Sequence, residues 1–334
     1  MYKKMYRIAI SAAIITAIAV LFGCCGASGG RRISETRLLL DTYCTITVYG
    51  DVDKQLLNDA FELIEEYEAL LSITVPDSDV WRINSAEGEA VNVSRKTIEV
   101  VRAAMEFGGL TDGVFDITIG RLSRLWEFGG EPSVPPVAGL EELLKTVDYT
   151  QIQITEDTIQ LTNPDAWIDL GAIAKGYIGN SIAAFLTDKG VSGALIDLGG
   201  DIVAIGSRPG GTPWRIAVRE PYGEAEDWIG VIEVADAAVI SSGIYERSFE
   251  YNGVLYHHIL DPKTGFPAKS DIISATVVTK DAVTGEALST AAVLMGSEES
   301  KNLFDKTPGF IGAVLITDIG DMIIVGDIAF SRTP

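Results

Sequence analysis

"GAVLITDIGDMIIVGDIAF", residues 312–330, decides the fold class of this chain. Its two apolar, β-branched runs either side of Asp318 to Asp321 read as a hairpin, with antiparallel strands joined locally. Just upstream, "IISATVVT" (272–279) reads as another strand, and Thr284 to Met295 carries a helical pattern between them. Strand, helix and hairpin in that order lack the regular strand–helix alternation of a parallel sheet.

The same mixture extends toward the N-terminus. Thr42 to Tyr49 reads as a strand, and Leu57, Phe61, Ile64, Tyr67 and Leu71 form one face of a helix over 56–71. Ser94 can cap a second helix running to about Phe107, before "GGLTDG" ends it. Then come a strand ending at "AWIDL" (166–170), a helix from about Ala172 to Asp188, and paired runs "SGALIDL" and "DIVAIG" about Gly199 and Gly200. Further β-rich segments lie at 214–219, 229–240 and 254–260. The expectation is an α+β fold of largely antiparallel sheets with packed helices, as one large domain or two intimately associated subdomains.

Residues 1–23 stand apart. Lys3, Lys4 and Arg7 precede an uncharged run from Ile8 to Phe22, shorter than the roughly 20 residues of a permanent membrane helix and flanked like an export signal. "LFGC" (21–24) is similar to a bacterial lipobox, which makes Cys24 the expected lipidated residue, and 24–34 reads as a flexible tether to a catalytic domain over 35–330. The expected location is exported, either lipid-anchored to the outer face of the cytoplasmic membrane or in the periplasm. The chain carries a formal net charge of −21, which repels nucleic acid and anionic headgroups, so no nucleic-acid partner is expected and membrane attachment rests on the lipid. Cys44, in "TYCTITVYG", is expected to be a buried, inert thiol.

Common nucleotide and hydrolase signatures are absent: there is no Walker A pattern, no His-Glu-x-x-His, no Gly-x-Ser-x-Gly, and no Gly-x-Gly-x-x-Gly between strand and helix. "DLGAIAKGY" (169–177) is a strand-to-helix junction whose small residues and Lys175 suit a phosphate, or a generic turn with a solvated lysine. In "GEALSTA" (285–291), Glu286 and Thr290 lie four apart on one helical face, either as oxygen ligands for a hard cation or as a dipole partner and its neighbour. Asp116 in "GVFDITIGRLSRLW" (113–126) is a turn former or a ligand contact. "HHILDPKTGFP" (257–267) holds the only two histidines, and adjacent strand positions send them to opposite faces.

In order, "GVFDITIGRLSRLW", "DLGAIAKGY", "GALIDLGGDIVAIG", "VISSGIYER", "YHHILDPKTGFP" and "EALSTA", with the weaker "LSITVPDSDVWRIN", resemble the FAD:protein FMN transferase family, also called the ApbE family. The resemblance implies an α+β enzyme, related to T-folds, with its flavin site in a cleft. It further implies Mg²⁺-dependent transfer of FMN from FAD to a threonine hydroxyl of an acceptor protein, typically in a membrane flavin-dependent redox complex, with release of AMP. By position it assigns Leu40, Thr74, Val114, Phe115, Asp116, Asp169, Lys175 and Leu260 to FAD, and Ala172, Glu286 and Thr290 to the metal. His258 becomes the base that deprotonates the threonine, oriented by Asp261, while His257 is structural or rim-facing. Two departures stand out: Glu286 replaces the usual Asp, and Thr74 stands where an aromatic ring commonly packs. The alternatives are a Mg²⁺-dependent FAD pyrophosphatase, with water as acceptor, and a flavin-binding lipoprotein without turnover.

Overall fold

A computed structural model describes residues 31–128, 131–224 and 226–333; Cys24 and residues 24–30 of the expected tether lie outside the described residues. The first element is a hairpin of β1 (Arg32–Leu39) and β2 (Thr42–Tyr49), turned at Leu40 and Asp41, both at positive φ. Arg32, Ile33 and Ser34 pair with Tyr49, Val48 and Thr47, so β1 includes residues expected to be tether. Helix α1 (Lys54–Leu71) begins where the Asp53 carboxylate accepts the Gln55 N–H, and it buries the five apolar residues of the expected face. Next come α2 (Asp79–Asn84), β3 (Val91–Asn92) and α3 (Arg95–Leu110), the last capped by Ser94. After α4 (Gly120–Trp126) and α5 (Val137–Leu144), β4 (Ile152–Ile154) and β5 (Thr158–Leu161) complete a small sheet with β3.

The strand expected to end at "AWIDL" does not form. The Asn84 side chain takes both the N–H and the C=O of Ile168, the groups a neighbouring strand would have paired. Only a single bridge joins Trp167 to Ile119, which leaves 166–173 a loop leading into α6 (Ala174–Asp188). The hairpin of β6 (Gly193–Leu198) and β7 (Ile202–Gly206) turns through Gly199 and Gly200, both at positive φ, as the sequence indicates. Beyond β8 (Trp214–Arg219), the β-rich 229–240 proves to be two strands, β9 (Trp228–Val234) and β10 (Ala237–Gly243), broken at Asp236 with φ 46°. In the hairpin of β11 (Ser248–Tyr251) and β12 (Val254–His257), the second strand stops short of the expected residue 260, because Asp261 starts the next turn. The chain ends with β13 (Ile272–Thr279), α7 (Ala282–Met295), α8 (Ser297–Lys306), β14 (Phe310–Thr317), β15 (Met322–Gly326) and β16 (Ala329–Arg332).

One eight-stranded sheet, β1-β2-β6-β7-β10-β13-β14-β15, runs through both halves of the chain, and every neighbouring pair in it is antiparallel. Alternate residues from β2 (Cys44, Ile46, Val48) and β6 (Ala194, Ile196, Leu198) pack against α1 and α6. Ala275, Val277, Ala313 and Leu315 pack against α7 and α8. The other face of the C-terminal half, with Val239, Val278 and Val314, is covered by the β8, β9, β16 sheet through Trp214, Val218 and Ile232. The two halves of the chain thus share one sheet, with separate cores packed on it. Cys44 is fully buried, and burial pushes its thiol up to about 11, which makes it unreactive at neutral pH. Among the described residues, no helix is long and apolar enough to cross a membrane.

Candidate active site

The site forms where α6 and α7 start against the sheet. Gly176 makes this approach possible: a Cβ there would fall 2.5 Å from the Ala282 carbonyl oxygen. Lys175, in the first turn of α6, contacts the Asp201 carboxylate and stands 3.4 Å from Glu286 Oε1 of α7. Asp201 and Glu286 are 3% and 5% exposed, so two buried carboxylates share the ammonium of one half-buried lysine. Glu286 Oε2 is buried without a hydrogen-bond partner. Burial raises the Glu286 pKa to about 7 against the opposing pull of Lys175. Burial alone would lower the Lys175 pKa, but Glu286 and Asp201 more than reverse this and hold it above the usual lysine value.

Thr290, one turn beyond Glu286, has its hydroxyl 3.4 Å from Ser242 Oγ, which also lies 2.8 Å from Ser289 Oγ. Ala172 sits in the turn before α6, next to Gly171, whose N–H donates to Asp169 Oδ1 at 2.9 Å. This donor set suits a hard cation: one carboxylate oxygen without a partner, with a hydroxyl on the same helical face. Among the described residues, no group of three or more His, Cys, Asp or Glu is placed to hold a metal ion.

His258 follows β12 and is half-buried. Its main-chain N–H donates to Arg247 O at 3.0 Å, and its Nδ1 donates to the same oxygen at 3.3 Å, leaving Nε2 with the lone pair. Burial first, then the Arg247 charge, pushes its pKa down to about 4, with Lys175 adding to the effect. His257 is buried, with Nε2 donating to Ala268 O at 3.1 Å. Asp261 does not hydrogen-bond the His258 ring. Its Oδ1 accepts the Lys263 N–H at 2.8 Å and its Oδ2 accepts the Thr264 hydroxyl at 3.0 Å, so it shapes the turn and the orienting role passes to the Arg247 carbonyl.

The other assigned residues divide between lining and packing. Phe115 is 2% exposed in the main core, edge-on to Phe107, and its ring is no pocket wall. Leu260 is buried among Leu122, Trp126 and Leu140, where Trp126 also donates its indole N–H to Gly265 O at 2.8 Å. Asp116 ties its loop together: Oδ1 accepts the Thr118 N–H and hydroxyl, Oδ2 accepts the Tyr149 N–H, and burial raises its pKa. It also lines a cavity of about 360 Å³ with Gly113, Tyr149, Pro262 and Lys263, which joins two motifs some 150 residues apart in sequence. Val114 is half-buried beside it. Leu40 lies in the β1–β2 turn with its N–H on Glu68, and Thr42 next to it packs on Gly199. Thr74 is exposed in the loop after α1 and hydrogen-bonds only to Ser72, within that loop. A larger opening of about 570 Å³, lined by Tyr222, Trp228 and Ile319, contains none of the assigned residues.

Asp201 was not among the residues expected from sequence. The sequence shows only an acid directly after the Gly199-Gly200 turn, and its partners Lys175 and the Ser241 N–H come from distant segments.

Fold and site together define an α+β protein with a half-buried lysine and two buried carboxylates where its central sheet meets two helix starts. The chain belongs to the ApbE family, whose profile matches residues 40–315. The FAD:protein FMN transferase of Treponema pallidum is 32% identical over 334 residues, covering 94% of this chain and 91% of that protein. That of Vibrio cholerae is 34% identical over 271 residues, covering 80% and 81%. Among solved structures, the ApbE protein of Thermotoga maritima matches with a TM-score of 0.81 at 33% identity over 89% of this chain and 97% of that one. The flavin transferase ApbE of Vibrio cholerae matches at 0.79 and 28% identity over 91% and 97%.

Proposed function

We propose that this chain transfers the FMN half of FAD to a threonine hydroxyl of an acceptor protein, forming a phosphoester and releasing AMP. Family membership supports the reaction class. The observation that carries the chemistry is the buried, unpartnered Glu286 Oε2 beside Lys175. Glu286 and Thr290 would hold Mg²⁺, with the Ala172 carbonyl as a third oxygen. When bound, Mg²⁺ would neutralise the diphosphate and the charge that develops on the leaving AMP.

Lys175 binds the diphosphate from the side of α6. His258 takes the threonine proton at Nε2, the nitrogen left free by the Arg247 carbonyl. With its pKa near 4, the ring is neutral in the free chain, and a diphosphate anion brought close raises its basicity. The threonine oxygen attacks the FMN-side phosphorus, the bond to the AMP oxygen breaks, and the flavin phosphate stays on the acceptor. The acceptor is read as a subunit of a membrane flavin-dependent redox complex. Acylated Cys24 is read as the anchor on the outer face of the cytoplasmic membrane or in the periplasm, with residues 1–23 removed.

Intact-mass measurement after incubation with FAD, Mg²⁺ and a threonine-bearing acceptor tests this. The expected result is an acceptor heavier by one FMN. Free FMN and AMP without adduct would make the chain an FAD pyrophosphatase, and intact FAD would make it a flavin-binding lipoprotein. A His258→Ala variant is expected to bind FAD normally while losing transfer by about 10²-fold or more; undiminished transfer removes His258 as the base.

A further inference from the structure

Three charged groups share the buried site, and they are not equivalently held. Lys175 extends from a helix on a flexible stem. Asp201 is fixed: it follows two positive-φ glycines, is 3% exposed, and its Oδ1 accepts the Ser241 N–H at 3.3 Å. The turn that carries it is equally constrained, since a Cβ at Gly199 would fall 2.3 Å from the Thr42 hydroxyl oxygen. Lys175 contacts Asp201 directly and stands 3.4 Å from only one oxygen of Glu286. The other Glu286 oxygen is buried and unpartnered.

We infer that Asp201 is a positioning residue that draws the Lys175 ammonium to its own carboxylate, limits it to one Glu286 oxygen and so keeps the other oxygen open for a divalent cation. The inference rests on the reading of Glu286 as a metal ligand and adds to it a residue that binds neither metal nor substrate. Two buried carboxylates and one ammonium leave a net charge of −1. Asp201 satisfies the lysine, and Glu286 carries the remainder. Without the aspartate, nothing fixed opposes the collapse of Lys175 onto Glu286, because a buried carboxylate with an open oxygen is the strongest remaining attraction for it. The ammonium would then stand where the cation belongs. The arrangement also keeps Lys175 charged and extended beside the metal, ready to meet the phosphate that the two cations share.

The test is cation binding followed by calorimetry with Mg²⁺ alone on the full mature chain, independent of turnover. Asp201→Asn is expected to weaken Mg²⁺ by about tenfold or more. Adding Lys175→Met to Asp201→Asn is expected to restore affinity to within about threefold of the parent chain, since the competing ammonium is gone and the net charge is again −1. A double variant that stays as weak as Asp201→Asn overturns the inference. Should Asp201→Asn fail to fold, a crystal structure of the unaltered chain soaked in Mn²⁺ decides: Asp201 on Lys175 and outside the metal's coordination sphere supports it, and Asp201 as a direct ligand overturns it. An unaltered chain that binds no Mg²⁺ defeats the metal reading itself, whereas binding without restoration defeats only the role of Asp201.

Discussion

Glu286 shows how one buried carboxyl links stability and ligand binding in opposite directions. Its pKa rises from 4.5 to about 7, so the folded chain holds the proton more tightly than the unfolded one. Its contribution to stability is therefore full below about pH 4.5 and is lost as pH rises toward 7. Cation binding needs the ionised form and follows the reverse trend. Calorimetric Mg²⁺ affinity should climb by about tenfold per pH unit below neutrality and level off above it. An affinity flat between pH 5 and 8 would remove Glu286 from the ligand set. The residues legible in sequence were those whose type is rare or locally patterned, such as His258 among two histidines or Glu286 and Thr290 one helical turn apart. Asp201 was not legible, because its partner Lys175 is 26 residues away and their meeting depends on how α6 and the β6–β7 turn are packed. Asp261 misled for a related reason: an aspartate near a histidine in sequence looks like its partner, while the turn it starts consumes both its oxygens.

At the scale of elements, the crossing of α6 and α7 sets the site. Gly176→Ala would press a methyl against the Ala282 carbonyl, at 2.5 Å before relaxation, and over-packing of this kind costs about 1–3 kcal/mol. Chemical denaturation should show that loss, together with weaker Mg²⁺ binding as Glu286 and Thr290 of α7 are pushed from the Ala172 carbonyl before α6; an unchanged midpoint would mean the helices can part freely. Helices and hairpins were readable because their signals are local: the stripe on α1, the Ser94 cap, the turn at 318–321. The misread segments lacked such autonomy. "AWIDL" has strand-like composition, but Asn84 takes the hydrogen bonds of Ile168. The break at Asp236 needs a positive φ that a non-glycine residue does not advertise.

For the whole molecule, charge and anchoring are separable. A chain with formal net charge −21 gains nothing from an anionic bilayer, so its proposed attachment depends on acyl chains at Cys24. Cys24→Ser should move the protein from the membrane pellet to the soluble fraction at every salt concentration; continued sedimentation with membranes would exclude lipid anchoring through this residue. The α+β class and its antiparallel character were legible because hairpins declare themselves, whereas the continuity of the sheet between the halves was not, since β7 and β10 are far apart in sequence. That junction is also the thinnest in the large sheet, with three registered pairs, Ala237 to Val239 against Ala204 to Ile202. The last pair falls at Ile202, the first residue of β7, and beyond it the Ser241 N–H donates to Asp201 instead of to a strand. The charged cluster thus sits at the end of this narrow seam, with Lys175 and Asp201 from one half of the chain and Glu286 from the other. A cation held there would act as a rivet across the seam, so stripping it with a chelator is expected to speed amide exchange at 202–204 and 237–239 before either half unfolds.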